Sequence, residues 1–158
     1  MDDHRLVNVI LDESTVVRRH PDLEHERAVA IYDLLDDNHF LPAKLPDGGP
    51  FSLHLAIQEN RLVFDVRDAS DAETLESVPV SVSPFRRIVK DYFTVCESYF
   101  EAIKTASPSR IEAIDMGRRG LHNEGAELLR ERLAGRIEID QNTARRLFTL
   151  LCVLHIKG

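Results

Sequence analysis

The apolar positions of this chain repeat with two periods, and the change from one to the other divides it. Leu6 to Leu11 is a run of apolar and β-branched residues that predicts a first strand. Val16-Val17 is expected to extend the sheet edge. Phe51, Leu53, Leu55 and Ile57 then alternate with Ser52, His54, Ala56 and Gln58. After Glu59-Asn60 the alternation resumes at Leu62, Phe64 and Val66. That is the pattern of a β-hairpin with one buried and one wetted face, closed by a two-residue turn. Val78, Val80 and Val82 predict a further strand. Pro79 inside it predicts an edge or bulged position, because proline donates no ladder hydrogen bond.

The rest of the apolar pattern has helical spacing. Pro21 suits a first helical position, and Asp22, Glu24 and Glu26 suit the first turns, where acids meet the positive end of the helix dipole. Leu23, Arg27, Ala30, Ile31, Leu34 and Leu35 continue this helix over about 21–37. Two stretches read as loops: 38–50, dense in Pro and Gly, and the acidic run 68–77. Ser83-Pro84 predicts a capped start for a long helix with the stripe Phe85, Ile88, Val89, Tyr92, Phe93, Cys96, Phe100 and Ile103. Ser107-Pro108 repeats the capping pattern, and Ile111 and Ile114 follow. Gly117 and Gly120 then weaken the helix by about 1 kcal/mol each relative to Ala, which predicts a kink or break between them. Spacing resumes at Leu121, Gly125, Leu128, Leu129 and Leu133, and Gly135 ends the helix. Ile137-Glu138-Ile139 predicts a short extended piece, and Asp140 caps a last helix. That helix is apolar nearly all round, so it is either central or covered by a second subunit.

This order predicts an α+β fold: a small, mostly antiparallel sheet of about four strands with helices packed on one face. The expected organisation is a single domain over 1–158, sheet-rich with one helix through 82 and all-helical from 83 onward. A chain of 158 residues can bury a core without staples.

Composition narrows the function classes. The net charge of −7 speaks against a nucleic-acid binder. The charge is uneven: residues 1–77 carry 17 acids and 7 Lys or Arg, while residues 78–158 carry 10 acids and 13 Lys or Arg. An anion site is therefore expected in the second half. No apolar run reaches the roughly 20 residues of a membrane span, and the acidic start does not read as a signal peptide. A cytoplasmic protein is the expectation. Cys96 and Cys152 sit in apolar helical patterns and read as buried, reduced thiols.

Chemistry concentrates in 115–127. Asp115, Arg118, Arg119, His122, Asn123 and Glu124 lie there among three glycines. On a continuous helix they share a broad polar face, with i,i+4 pairs Asp115–Arg119 and Arg118–His122. If the helix breaks, the amides of a second helix start join Arg118 and Arg119 as a site for carboxylate or phosphate. The glycines form neither a P-loop nor a dinucleotide fingerprint. His122-Asn123-Glu124 has the His-x-Glu half of a zinc-deaminase motif without its Cys-x-x-Cys half. His20, Asp22, Glu24 and His25 cluster at a helix start, but no His-Glu-x-x-His occurs. No catalytic residue, metal ligand or cofactor is assigned. Arginine doublets occur four times, at 18–19, 86–87, 118–119 and 145–146. They either gather on one surface to bind a polyanion or pair with the abundant acids.

Several segments carry a resemblance. These are Leu11-Asp12-Glu13-Ser14, the run from Glu24 to Ile31, Ser83 to Tyr92, Glu112 through Leu133, and Thr143 to Leu150. Over nearly its whole length the chain resembles a small bacterial protein family of unknown function. The resemblance implies a bacterial cytoplasmic protein with no cofactor, and brings no catalytic residues. The first expectation is thus a non-enzymatic regulatory or adaptor protein. It would dimerise through its C-terminal apolar helix and engage an unknown protein partner at Arg118, Arg119 and His122. The alternative is a binder of, or enzyme for, a small phosphate- or carboxylate-bearing metabolite at 115–124.

Overall fold

The computed structural model describes residues 3–13 and 21–155. Its elements are β1 (Leu6–Leu11), α1 (Pro21–Asp36), β2 (Phe40–Pro42), β3 (Phe51–Gln58), β4 (Arg61–Asp68) and β5 (Thr74–Ser81). A 3-10 turn at Ser83–Phe85 follows, then α2 (Arg86–Thr105), α3 (Pro108–Leu133), β6 (Ile137–Ile139) and α4 (Gln141–Leu154). The chain is α+β, and its C-terminal half is mostly helical. Val16-Val17 lies outside the described residues.

The main sheet has the order β1-β3-β4-β5. The antiparallel part forms as its alternation requires. Leu53 faces Val66 and Leu55 faces Phe64 across the hairpin. Glu59 and Asn60 both have positive φ, the left-handed backbone that a tight two-residue hairpin turn demands. β1 instead runs parallel to β3, so the sheet is mixed. Pro79 sits on β5, an edge strand, where its missing N–H costs no ladder bond.

One apolar cluster joins the two halves of the chain. Leu53, Leu55, Phe64 and Val66 from the sheet share it with Ile88, Val89 and Tyr92 of α2, with Leu129 of α3 and with Leu147, Phe148 and Leu151 of α4. Each large apolar side chain so buried is worth about 1.5–3 kcal/mol. The stripe of α2 fades near its end, where Ile103 is 49% exposed. Every residue of α4 from Leu147 to Leu154 is buried by the chain's own elements. This settles the choice left open by its pattern: α4 is central. The expected dimer contact through α4 therefore loses its basis, because that helix has no apolar surface left to share.

Four local expectations are corrected. α3 runs unbroken from Pro108 to Leu133, through both Gly117 and Gly120. The surrounding 26 residues of helical hydrogen bonding and the buried Gly125, Ala126, Leu129 and Leu133 outweigh two weak positions. The loop 38–50 contains β2, which pairs antiparallel with β6 and buries Phe40 against the C-terminal part. β5 begins at Thr74, inside the acidic run, because pairing with β4 continues to Arg67. Ser83 caps no helix through its side chain; its hydroxyl accepts from Asn60 Nδ2 at 2.9 Å. The other two caps form. Ser107 Oγ accepts from Arg110 N at 3.4 Å, and Asp140 Oδ1 accepts from Thr143 N at 2.9 Å.

Candidate functional site

Because α3 is continuous, the polar residues of 115–124 are split between its inner and outer sides. Asp115, Arg118 and Arg119 come together. Asp115 accepts from Arg118 at 2.7 Å and from Arg119 at 2.8 Å. Arg118 also reaches across to Glu26 of α1 at 3.1 Å, and its guanidinium carbon lies 4.6 Å from the centre of the Tyr99 ring. Burial disfavours the Arg118 cation, but the bonds to Asp115 and the charge of Glu26 outweigh it and hold the guanidinium charged. Arg118 thus ties α3 to α1 and α2.

His122 turns inward, away from those arginine–acid pairs. Its Nε2 lies 2.7 Å from the Arg145 carbonyl and 2.7 Å from Thr149 Oγ1. A carbonyl can only accept, so Nε2 carries the proton. Tyr92 and Phe148 flank the ring at 5.6 and 6.0 Å. Burial is the main reason its pKa falls to about 4; the hydrogen bond to Arg145 opposes the fall, and the charges of Arg145, Arg146 and Arg118 add to it. The side chain with the best acid–base chemistry in this stretch is therefore neutral at pH 7 and committed to a structural bond. The i,i+4 pairing of Arg118 with His122 gives way to these contacts across to α4.

Glu124 binds Arg87 of α2 at 2.6 Å, which raises the Arg87 pKa and pins α2 to α3. Asn123 is exposed on the outer side. Gly117 and Gly120 are exposed as well, and a Cβ built on either meets nothing within 4 Å. Met116 beside them is 66% exposed. Two open grooves formed by described residues lie elsewhere. One, of about 530 Å³, runs along Glu127, Arg130 and β6; the other, of about 410 Å³, lies on the open sheet face by His54, Asp65 and Arg67.

The arginine doublets mostly follow the pairing alternative. Arg86 donates to Asn60, Arg87 to Asp91 and Glu124, Arg118 and Arg119 to Asp115, and Arg146 approaches Asp33 at 3.7 Å. Arg18-Arg19 lies outside the described residues, as do His20 and the side chain of Asp22 from the acidic cluster at the start of α1. Arg145 is the exception among the described doublets: its buried Nε has no hydrogen-bond partner. Sequence reasoning missed Arg145, Thr149, Glu26 and Tyr99. The doublet at 145–146 and the Arg145–Thr149 spacing of four were the only signals pointing there.

Among the described residues the side chains form no constellation with a known chemistry, so relatives carry the identification. The model of an uncharacterised protein family, UPF0262, matches residues 3–157. The chain belongs to this family. A UPF0262 protein of Rhodospirillum rubrum is 60% identical over 157 residues, covering 99% of this chain and 96% of its own. One from Azorhizobium caulinodans is 57% identical over 155 residues, covering 98% and 96%. One from Nitrobacter winogradskyi is 57% identical over 155 residues, covering 98% and 92%. No solved structure matches the chain. UPF0262 membership agrees with the resemblance seen in the sequence.

Proposed function

We propose that this UPF0262 protein is a non-enzymatic regulatory or adaptor protein of the bacterial cytoplasm that works through protein–protein contacts, and that the outer face of α3 receives a second copy of the chain. The observation that carries the reading is the pair Gly117 and Gly120. Each weakens a helix interior by about 1 kcal/mol relative to Ala. Neither has a left-handed backbone, and neither has a neighbour that a Cβ would disturb. Among the described residues nothing in the chain's own fold calls for them. Close approach of another backbone does.

The face also complements itself. Arg110, Ala113, Gly117, Gly120, Glu124 and Glu127 recur at steps of three and four along α3. Two such faces packed antiparallel about a twofold axis between Gly117 and Gly120 set Arg110 against Glu127 of the other copy. Such a contact is isologous and closes on itself. The exposed Met116 borders it.

Native mass spectrometry of the wild type and of the Gly117→Leu/Gly120→Leu variant tests the reading. The wild type should fly as twice 18.0 kDa and the variant as a folded monomer. The charge swap Arg110→Glu should weaken the dimer, and adding Glu127→Arg should restore it. A variant that remains dimeric, or a wild type that is monomeric at all concentrations, removes the α3 face from the account. Defined turnover by the pure protein removes the non-enzymatic reading.

A further inference from the structure

The face of the main sheet turned away from the core carries an ordered set of side chains. Across β1, β3, β4 and β5, Ile10 pairs with His54, His54 with Asp65, and Asp65 with Ser77. Residues paired in this way point to the same side of a sheet, so these four form one row. Ala56 and Val63 pair in the next row on one side of it, and Arg67 lies in the next row on the other. The groove of about 410 Å³ lies over these rows.

Two side chains of the row are held from outside it. His54 Nε2 lies 2.8 Å from Asp71 Oδ1. A carboxylate only accepts, so Nε2 carries the proton and the neutral ring keeps Nδ1 as an acceptor. Asp71 has a left-handed backbone, with φ of 62°. Asp68 fastens its loop by accepting from Ala72 N at 2.9 Å and from Ser70 Oγ at 3.1 Å. Asp65 takes both Nε and Nη2 of Arg67 on a single oxygen, Oδ2, each at 3.0 Å. No described residue bonds Asp65 Oδ1 or His54 Nδ1, and neither atom is shut off from solvent. The two side chains are 28% and 24% exposed, so they are fixed and still reachable. A merely solvated face gives no reason to fix the tautomer of a histidine in this way.

We propose that this groove binds the primary ammonium group of a small molecule, whose alkyl body lies on Ile10, Ala56 and Val63. An ammonium has three donors and no acceptor, and the row offers acceptors. Side chains paired across strands have Cβ atoms about 4.5–5.5 Å apart, so one nitrogen can bridge His54 Nδ1 and Asp65 Oδ1. Ser77 Oγ, next in the row, is a further acceptor. Charge favours a cation as well. Asp65 and Asp71 face the single guanidinium of Arg67, which is already committed to both, at 3.0 and 3.7 Å. Because His54 and Asp65 are held before the ligand arrives, binding need not order them, which favours affinity. The site is far from the one expected from sequence, and none of its residues belongs to the outer α3 face.

n-Butylammonium chloride is the probe, and tetramethylammonium chloride, a cation of equal charge with no N–H donor, is the control. The full chain is studied at about pH 8, where an ordinary imidazole is neutral. n-Butylammonium should raise the unfolding midpoint of the wild type in a saturable way, and tetramethylammonium should not. Asp65→Asn should weaken the apparent affinity roughly tenfold or more, as expected for loss of one charge-assisted bond. Ser77→Ala, an exposed change on an edge strand, should weaken it less. If Asp65→Asn does not fold, the imidazole Nδ1 resonance of His54 in ¹⁵N-labelled wild type gives the answer. It should shift saturably with n-butylammonium while the ring resonances of His122 stay put. An equal rise with tetramethylammonium, an unchanged affinity in Asp65→Asn, or an unmoved His54 resonance overturns the proposal.

Discussion

The ring of Phe148 on α4 occupies the space where any side chain at Gly125 of α3 would begin. Gly125 is buried, and Phe148, Ala126 and Leu129 are wholly inaccessible. The two helices approach closely because one of them has no side chain at the crossing. Gly125→Ala should therefore destabilise the protein by about 1–3 kcal/mol, as overpacking does, although Ala is the better helix former. Urea unfolding measures it, and Phe148→Leu should recover part of the loss. A gain in stability would contradict the packing.

Gly117→Ala and Gly120→Ala on the same helix should act the other way. Within the chain itself both positions open to free space, so at concentrations where the protein is monomeric each substitution should stabilise by up to about 1 kcal/mol, while the proposed dimer should be weakened. The double variant should unfold at higher urea with an unchanged slope. Three glycines of one helix would then divide by sign in the monomer, and a loss at 117 or 120 that grows with protein concentration would mark the proposed second copy.

The part-buried, inward-facing His122 makes stability depend on pH. Its folded pKa of about 4 lies below the ordinary 6.5, so the unfolded chain binds the proton more readily. Its contribution is complete above about pH 6.5 and is lost as pH falls toward 4. Within that window the slope should approach, and not exceed, about 1.4 kcal/mol per pH unit. Unfolding free energies of wild type and His122→Gln at several pH values isolate the term, since the glutamine amide can still donate to the Arg145 carbonyl. Parallel curves would show that His122 is not the group responsible.

Arg118→Ala should cost about 2 kcal/mol, the scale of a hydrogen bond to a charged group. It strips Asp115 and Glu26 of a part-buried partner and uncovers the Tyr99 ring. Arg119→Ala, at a side chain 66% exposed, should change stability by less than about 1 kcal/mol. Thermal unfolding of the two variants side by side decides this, and equal effects would refute the cross-helix role of Arg118.

Elements with a strong local pattern were legible in the chain. The alternation from Phe51 to Val66 specified its hairpin, and Ser107 and Asp140 capped the helices they announced. β2 was not legible, because Phe40-Leu41-Pro42 becomes a strand only by pairing with Ile137–Ile139, nearly a hundred residues on. The candidate site was half legible. Asp115, Arg118 and Arg119 meet because helical spacing alone brings them together. Arg145 was legible only as half of a doublet, since whether it finds a partner depends on where Asp33, Glu26 and Asp115 go.

What sequence alone determined here is the content of local periods: the strongly patterned strands and helices, and that the protein is α+β. Tertiary structure decided the rest, because burial and pairing are properties of what lies opposite. It carried α3 through two glycines, made β1 parallel to β3, and used all of α4 inside the chain. It also sent His122 inward as a neutral ring and left the Arg145 Nε without a hydrogen-bond partner. The physical reason is the same in each case. Propensities of about 1 kcal/mol act residue by residue, while packing and charge pairing act between segments far apart and sum to more.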